Sequence, residues 1–297
     1  MTKLSQAIKD PGTTFVGVST KMYLGYADSL RWLDELRQQV DARPALAAGR
    51  VVPFVIPSFP LLPAAREILA GSPLVLGAQN CGWADGPWTG ELSPSLLAEL
   101  GVGLVEIGHA ERRRHFAEDD AMIALKVRAA DGAGLTPLLC VGEESRGTET
   151  ASNADAGSSG SAPAAGAGGT TGGATGGSNA GAETAARFVY GQIETAVGGD
   201  WGLAARLVIA YEPVWAIGAA EPASAEYVSA VVRILRELLG AHALQDLPVI
   251  YGGSAKPGLL PRLDGVSGLF LGRFAHDAAN FGKVLDEALS VAGAARS

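Results

Sequence analysis

Residues 207–218 read LVIAYEPVWAIG. The first five, 207–211, form a continuous apolar run of strand length, and Glu212 and Pro213 follow it directly. A run that is apolar at every position fits a parallel strand covered on both faces, because a strand with one wet face would alternate. Seven further runs are near-continuously apolar: 15–19, 51–56, 74–78, 104–107, 137–141, 248–251 and 269–271. Amphipathic stretches lie between them. Residues 29–40 set Leu30, Leu33, Leu36 and Val40 near one helical face, and 227–239 do so with Val228, Val231, Val232, Leu235 and Leu239. Eight strand-then-helix units in order predict an α/β chain folded as one (β/α)8 barrel. Pattern alone leaves a doubly wound open sheet as the alternative.

The chain has 297 residues and 40 glycines, and eleven of those glycines fall between Gly147 and Gly181. From Thr148 to Arg187 there is no Val, Ile, Leu, Met, Phe, Trp or Tyr. Such a segment buries too little apolar surface to offset the entropy of ordering it. Residues 148–183 therefore read as a low-complexity, flexible Gly/Ser/Ala-rich insertion after the fifth strand. Closure entropy grows only logarithmically with loop length, so a surface loop tolerates it. Residues 1–12 read as an N-terminal tail. Subtracting the insertion leaves roughly 260 residues, close to the ~250 of one barrel. A single domain over 1–297 follows.

Acidic side chains outnumber basic ones by 31 to 23, a formal charge of −8, with no Lys/Arg-rich block. That predicts no nucleic-acid partner. No apolar stretch reaches the ~18 residues of a membrane helix, and the first residues lack the apolar core of a signal peptide. A cytoplasmic protein is the expectation. Cys81 and Cys140 form no Cys-x-x-Cys pair and build neither a disulfide framework nor a zinc site. There is no G-x-G-x-x-G turn after a strand and no Walker sequence, so neither a cofactor nor a metal is expected.

In a (β/α)8 barrel the site lies at the C-terminal ends of the strands. Lys21 follows the first run, His109 and Glu111 the fourth, and Glu212 the sixth. Gly252, Gly253 and Ser254 close the seventh, and Gly272 and Arg273 the eighth. Taken singly, each is ordinary: a lysine after a strand is usually solvated, a lone histidine structural, a Gly-Gly-Ser a turn. His115, His242 and His276 read as structural. The barrel sends the others to one mouth, where they suit proton transfer beside a carbonyl. A carboxylate removes a proton from carbon, an imidazole polarises the carbonyl, and an ammonium balances the enediolate. Backbone N–H groups of the glycine turns would hold a phosphate.

These residues sit in stretches that resemble the triosephosphate isomerase family over nearly the whole chain outside the insertion. The matching stretches are AQNC at 78–81, WTGELSP at 88–94, GHAERR at 108–113, CVGE at 140–143, AYEPVWAIG at 210–218 and YGGS at 251–254. The resemblance implies a TIM barrel and an isomerase of a small phosphorylated sugar. By the same resemblance Lys21 is the electrostatic lysine, His109 the electrophile, Glu212 the base, and Glu111 the lysine's partner. In the family a helix N-terminus keeps the histidine neutral and a lid excludes water. That lid would run over 213–222, with Gly218 donating its N–H to phosphate, and Ser254 and Gly272 completing the cradle. A homodimer is also implied, with the loop 79–91 inserting into the partner's site through Thr89. Trp83 and Trp88 on that loop would suit burial in a partner, or else pack within their own subunit.

The chain departs from the family pattern at four places. Ser19-Thr20-Lys21 stands where the family has Asn-x-Lys. The loop CGWADGPWTGE looks one residue short. The lid continues Gly218-Ala219-Ala220-Glu221 where Gly-Thr-Gly-Lys is common, and Gly272-Arg273 replaces Gly-Gly. Ser19 in place of a carboxamide would free space near the reacting end, enough for one more carbon. Arg273 would either add charge to the phosphate site or point to solvent. The pattern is similar to the L-erythrulose-1-phosphate isomerase branch of the family, although Thr20 departs even from that branch. The leading expectation is conversion of L-erythrulose 1-phosphate to D-erythrulose 4-phosphate. The alternatives are triosephosphate isomerase activity, and a non-catalytic sugar-phosphate sensor.

Overall fold

The computed structural model describes residues 3–145, 176–217 and 223–294. Eight parallel strands pair in sequence order and close into a barrel. They are β1 (Thr14–Ser19), β2 (Val51–Ile56), β3 (Val75–Ala78), β4 (Leu104–Ile107), β5 (Thr136–Val141), β6 (Val208–Tyr211), β7 (Val249–Tyr251) and β8 (Gly268–Leu271). Closure runs through β1 and β8, where Val16 pairs with Leu269 and Val18 with Leu271. The open-sheet alternative is thereby excluded. Every predicted run became a strand, with ends shifted by at most a residue.

Ten α-helices occur among the described residues: α1 (Lys3–Ala7), α2 (Tyr26–Asp41), α3 (Leu62–Ile68), α4 (Pro94–Glu99), α5 (Ala110–Phe116), α6 (Asp120–Gly132), α7 (Gly176–Val197), α8 (Trp201–Ala204), α9 (Ala225–Gly240) and α10 (Ala278–Ala294). The strands divide their side chains by period two. Phe15, Phe54, Leu104, Leu138, Val208, Ile250 and Phe270 fill the barrel interior. Val16, Val105, Leu139, Ile209 and Leu269 face outward against the helices. That outer layer includes Leu33, Leu36 and Val40 of α2 and Val228, Val231, Val232 and Leu235 of α9, the faces the sequence marks.

Two boundaries differ from the sequence reading. The segment read as a tail over 1–12 contains α1, and its Leu4, Ala7 and Ile8 are buried against the interior cluster. Four apolar residues in twelve, Met1, Leu4, Ala7 and Ile8, carry no period strong enough to show this beforehand. The segment read as an insertion over 148–183 ends earlier, because α7 begins at Gly176 and Ala182 is fully buried. Alanine packs without marking a hydrophobic stripe, so the start of α7 is hidden in composition. The centre of that segment lies outside the described residues.

Candidate active site

The inward rows of the strands climb to one cavity of about 650 Å³. On β1 the row is Phe15, Gly17, Ser19; on β4 it is Leu104, Glu106. On β6 it is Val208, Ala210 and then Glu212, one step past the strand end. Ser19, Lys21, Glu106, His109, Glu111 and Glu212 all line the cavity. Gly252, Gly253, Ser254, Gly272 and Arg273 line it too, from the ends of β7 and β8. All of these residues thus lie together at the C-terminal ends of the strands. Gly218 lies outside the described residues. Trp83, Trp88 and Thr89 are not part of this cavity; the two indoles pack on each other at 4.9 Å, and Thr89 is exposed.

His109 caps the N-terminus of α5. Its Nδ1 accepts the backbone N–H of Glu111 at 3.1 Å. The ring proton must then sit on Nε2, which faces Glu212 Oε2 at 3.6 Å. Burial, and next the Lys21 charge, lower its pKa from 6.5 to about 4. The imidazole is therefore neutral and presents an N–H to the cavity.

Lys21 reaches across the mouth to Glu111, with Nζ 2.5 Å from Oε1. Its backbone lies in the left-handed region at φ 49°, a conformation that costs about 1–2 kcal/mol for a residue with a Cβ. The lysine carbonyl is held there by the Ser58 hydroxyl and the Gln79 amide, each donating at 2.7 Å. Burial pushes the Glu111 carboxyl up, but the hydrogen bond and charge of Lys21 outweigh it and hold it below the usual range. The ammonium is thus fixed in place while a quarter of its side chain remains exposed.

Glu212 is buried, and its Oε2 finds no hydrogen-bond partner among the described residues. Burial, and next the charge of Glu106, push its pKa well above the ordinary carboxylate value, against the pull of Lys21. Two glycines make room for it. A Cβ on Gly252 would meet its Cγ and Oε1 at 2.5 Å, and a Cβ on Gly142 its carbonyl oxygen at 1.9 Å. The segment after it is anchored by Glu143, whose carboxylate accepts from Tyr211, Trp215 and Tyr227 at 2.8–3.2 Å. A desolvated carboxylate with an open oxygen is a stronger base than one in water, and it faces a neutral N–H donor.

A buried ion cluster supports this wall from behind. Lys126 Nζ donates to Asn80 at 3.0 Å and to Glu118, and Arg112 Nε donates to Glu118 at 2.6 Å. Arg112 belongs to α5, so the cluster ties the helix capped by His109 to α6.

The sequence reading missed Glu106. It lies buried in the barrel wall, its Oε1 3.9 Å from His109 Nε2, and it shares the cavity lining with Ser19. The signal was present: LVEI puts one carboxylate at an inward position of an otherwise apolar strand. Arg273 lies at the rim with its guanidinium 5.8 Å from the Tyr23 ring centroid, exposed yet bordering the cavity. His242 is structural, stacked on Trp201 at 3.7 Å and bonded to Tyr190.

Moving a proton beside a carbonyl is isomerase chemistry, and the barrel sets it at the mouth where enzymes of this architecture work. The chain belongs to the triosephosphate isomerase family: the family model described as Triosephosphate isomerase matches residues 14–159 and 176–288. An L-erythrulose-1-phosphate isomerase of Pectobacterium atrosepticum is 42% identical over 94% of this chain and 97% of the relative. One from Mesorhizobium japonicum is 37% identical over 92% and 96%. A solved triosephosphate isomerase of Bartonella henselae superposes with a TM-score of 0.67 at 27% identity, covering 92% of this chain and 98% of that one.

Proposed function

We propose that the protein interconverts L-erythrulose 1-phosphate and D-erythrulose 4-phosphate through an enediolate, without a cofactor. The observation that carries the chemistry is that the open Oε2 of Glu212 faces His109 Nε2 at 3.6 Å across the cavity. Glu212 takes the proton from carbon 3, and the C–H electron pair forms the C2–C3 double bond. The carbonyl electrons move to the C2 oxygen, which His109 and the Lys21 ammonium stabilise. His109 passes a proton between the two oxygens, and Glu212 returns its proton to carbon 2. Glu111 acts by holding Lys21. Backbone N–H groups at Ser254 and Gly272, with Gly218 of the lid, hold the phosphate.

The four-carbon substrate is favoured over the three-carbon one by Ser19 where the family has a carboxamide, and by the names of the relatives. The homodimer is part of the same reading. Met22, Tyr23, Tyr26 and Trp88 are 41–90% exposed, an apolar set a partner would cover. A cytoplasmic setting suits two buried, unpaired cysteines. No helix among the described residues is long and apolar enough to cross a membrane. The test is turnover of L-erythrulose 1-phosphate in deuterium oxide followed by NMR. Formation of D-erythrulose 4-phosphate with deuterium at carbon 3 supports the reading. Absence of product, with the sugar phosphate bound, favours the sensor.

A further inference from the structure

The proton-transfer roles are filled by Lys21, His109 and Glu212, which leaves Glu106 without a duty. A carboxyl is costly to bury unless something hydrogen-bonds it. Glu106 is buried, yet it lines the cavity together with Ser19, where the hydroxyl of a bound molecule would satisfy it. Glu106 Oε1 and Glu212 Oε2 lie 3.9 and 3.6 Å from the same atom, His109 Nε2. A substrate carbon attacked by Glu212, with its oxygen facing His109, therefore lies within reach of Glu106.

The two candidate substrates differ at that carbon. In dihydroxyacetone phosphate it carries one hydroxyl and two hydrogens. In a four-carbon ketose phosphate one hydrogen is replaced by a hydroxymethyl group. With the phosphate at the rim turns of β7 and β8, that group is at the opposite end of the molecule. Glu106 occupies that end, one inward step above Leu104. We propose that Glu106, with Ser19, binds the hydroxyl of the unphosphorylated hydroxymethyl group and so sets the preference for a four-carbon over a three-carbon ketose phosphate. The same group serves in both directions, because the phosphate does not move. Burial holds the carboxyl near 7, so both its forms are available near neutral pH. The charged form accepts from a hydroxyl, and the neutral form accepts and donates.

This inference rests on the four-carbon reading above, and one experiment separates the two. The kcat/KM values for L-erythrulose 1-phosphate and dihydroxyacetone phosphate are measured for the wild type, Glu106→Leu, Glu106→Gln and Ser19→Ala. A wild type that prefers the triose overturns the four-carbon reading itself. With a wild type that prefers the tetrulose, Glu106→Leu is expected to lower the ratio of the two values by about 10²-fold, because a site built to bond a hydroxyl loses discrimination with it. Glu106→Gln keeps one acceptor and the shape, and lowers the ratio less. A ratio unchanged in both, or both substrates slowed equally, overturns the role of Glu106. Should Glu106→Leu fail to fold, Glu106→Gln and Ser19→Ala decide alone: the ratio falls in each, or the inference is wrong.

Discussion

The backbone N–H of Glu111 donates to Nδ1 of His109 at 3.1 Å. One hydrogen bond thereby fixes two things, the tautomer and the charge of the ring. A protonated imidazole would set an N–H against an N–H, at the positive end of α5 and beside Lys21. The ring is thus a neutral donor, and in the proposed role of electrophile it needs no proton loss before the substrate binds.

Burial and Lys21 hold the His109 ring at about 4, so its nitrogen shifts in 15N NMR should stay those of a neutral ring protonated at Nε2 from pH 5.5 upward. A midpoint near 6.5 would contradict the capping argument.

Glu212 is the group with the open oxygen. Glu212→Gln keeps its volume and removes the proposed base. Turnover should fall by about 10³-fold or more while affinity for a phosphorylated inhibitor survives. Turnover within tenfold of wild type would reassign the base.

The buried cluster predicts an asymmetry. Glu118→Leu leaves the Lys126 ammonium buried beside the neutral Asn80, and should destabilise by about 3–5 kcal/mol in denaturant melts. Lys126→Met should cost less, since Arg112 still balances Glu118. The double variant should recover part of the loss. Strictly additive losses would mean the pair is not coupled.

Glu106 predicts a pH effect. Its pKa is raised from 4.5 to about 7, chiefly by burial. A raised carboxyl contributes stability that is fully present below 4.5 and lost as pH rises through 7. Glu106→Gln removes that loss, so it should stabilise the protein more at pH 8 than at pH 4.5, by up to about 3 kcal/mol. Glu106 also helps push Glu212 up. The acid limb of kcat/KM should therefore move to lower pH in the variant. A limb that stays in place would show that the two carboxyls do not interact.

What could be read from the chain follows from what periodicity reports. Strands buried on both faces are near-continuous apolar runs, so all eight were legible, and strand order then carried Lys21, His109 and Glu212 to one mouth. Buried polar partners leave no such trace. Gln79 and Ser58 hold the Lys21 carbonyl, and Lys126 pairs with Glu118 across two turns of chain, yet each looks like a surface residue in sequence. Glu106 was visible as a lone charge in a strand, but only the inward row shared with Leu104 shows that it enters the cavity. α1 and the start of α7 were hidden because few apolar side chains, or only alanines, bury them.

Whether this triosephosphate isomerase family barrel serves a four-carbon substrate, as proposed, is open to one measurement. The most direct measurement is kcat/KM of the purified protein for L-erythrulose 1-phosphate and for dihydroxyacetone phosphate, side by side under one set of conditions. L-Erythrulose 1-phosphate should give the larger value. Faster turnover of dihydroxyacetone phosphate would contradict it.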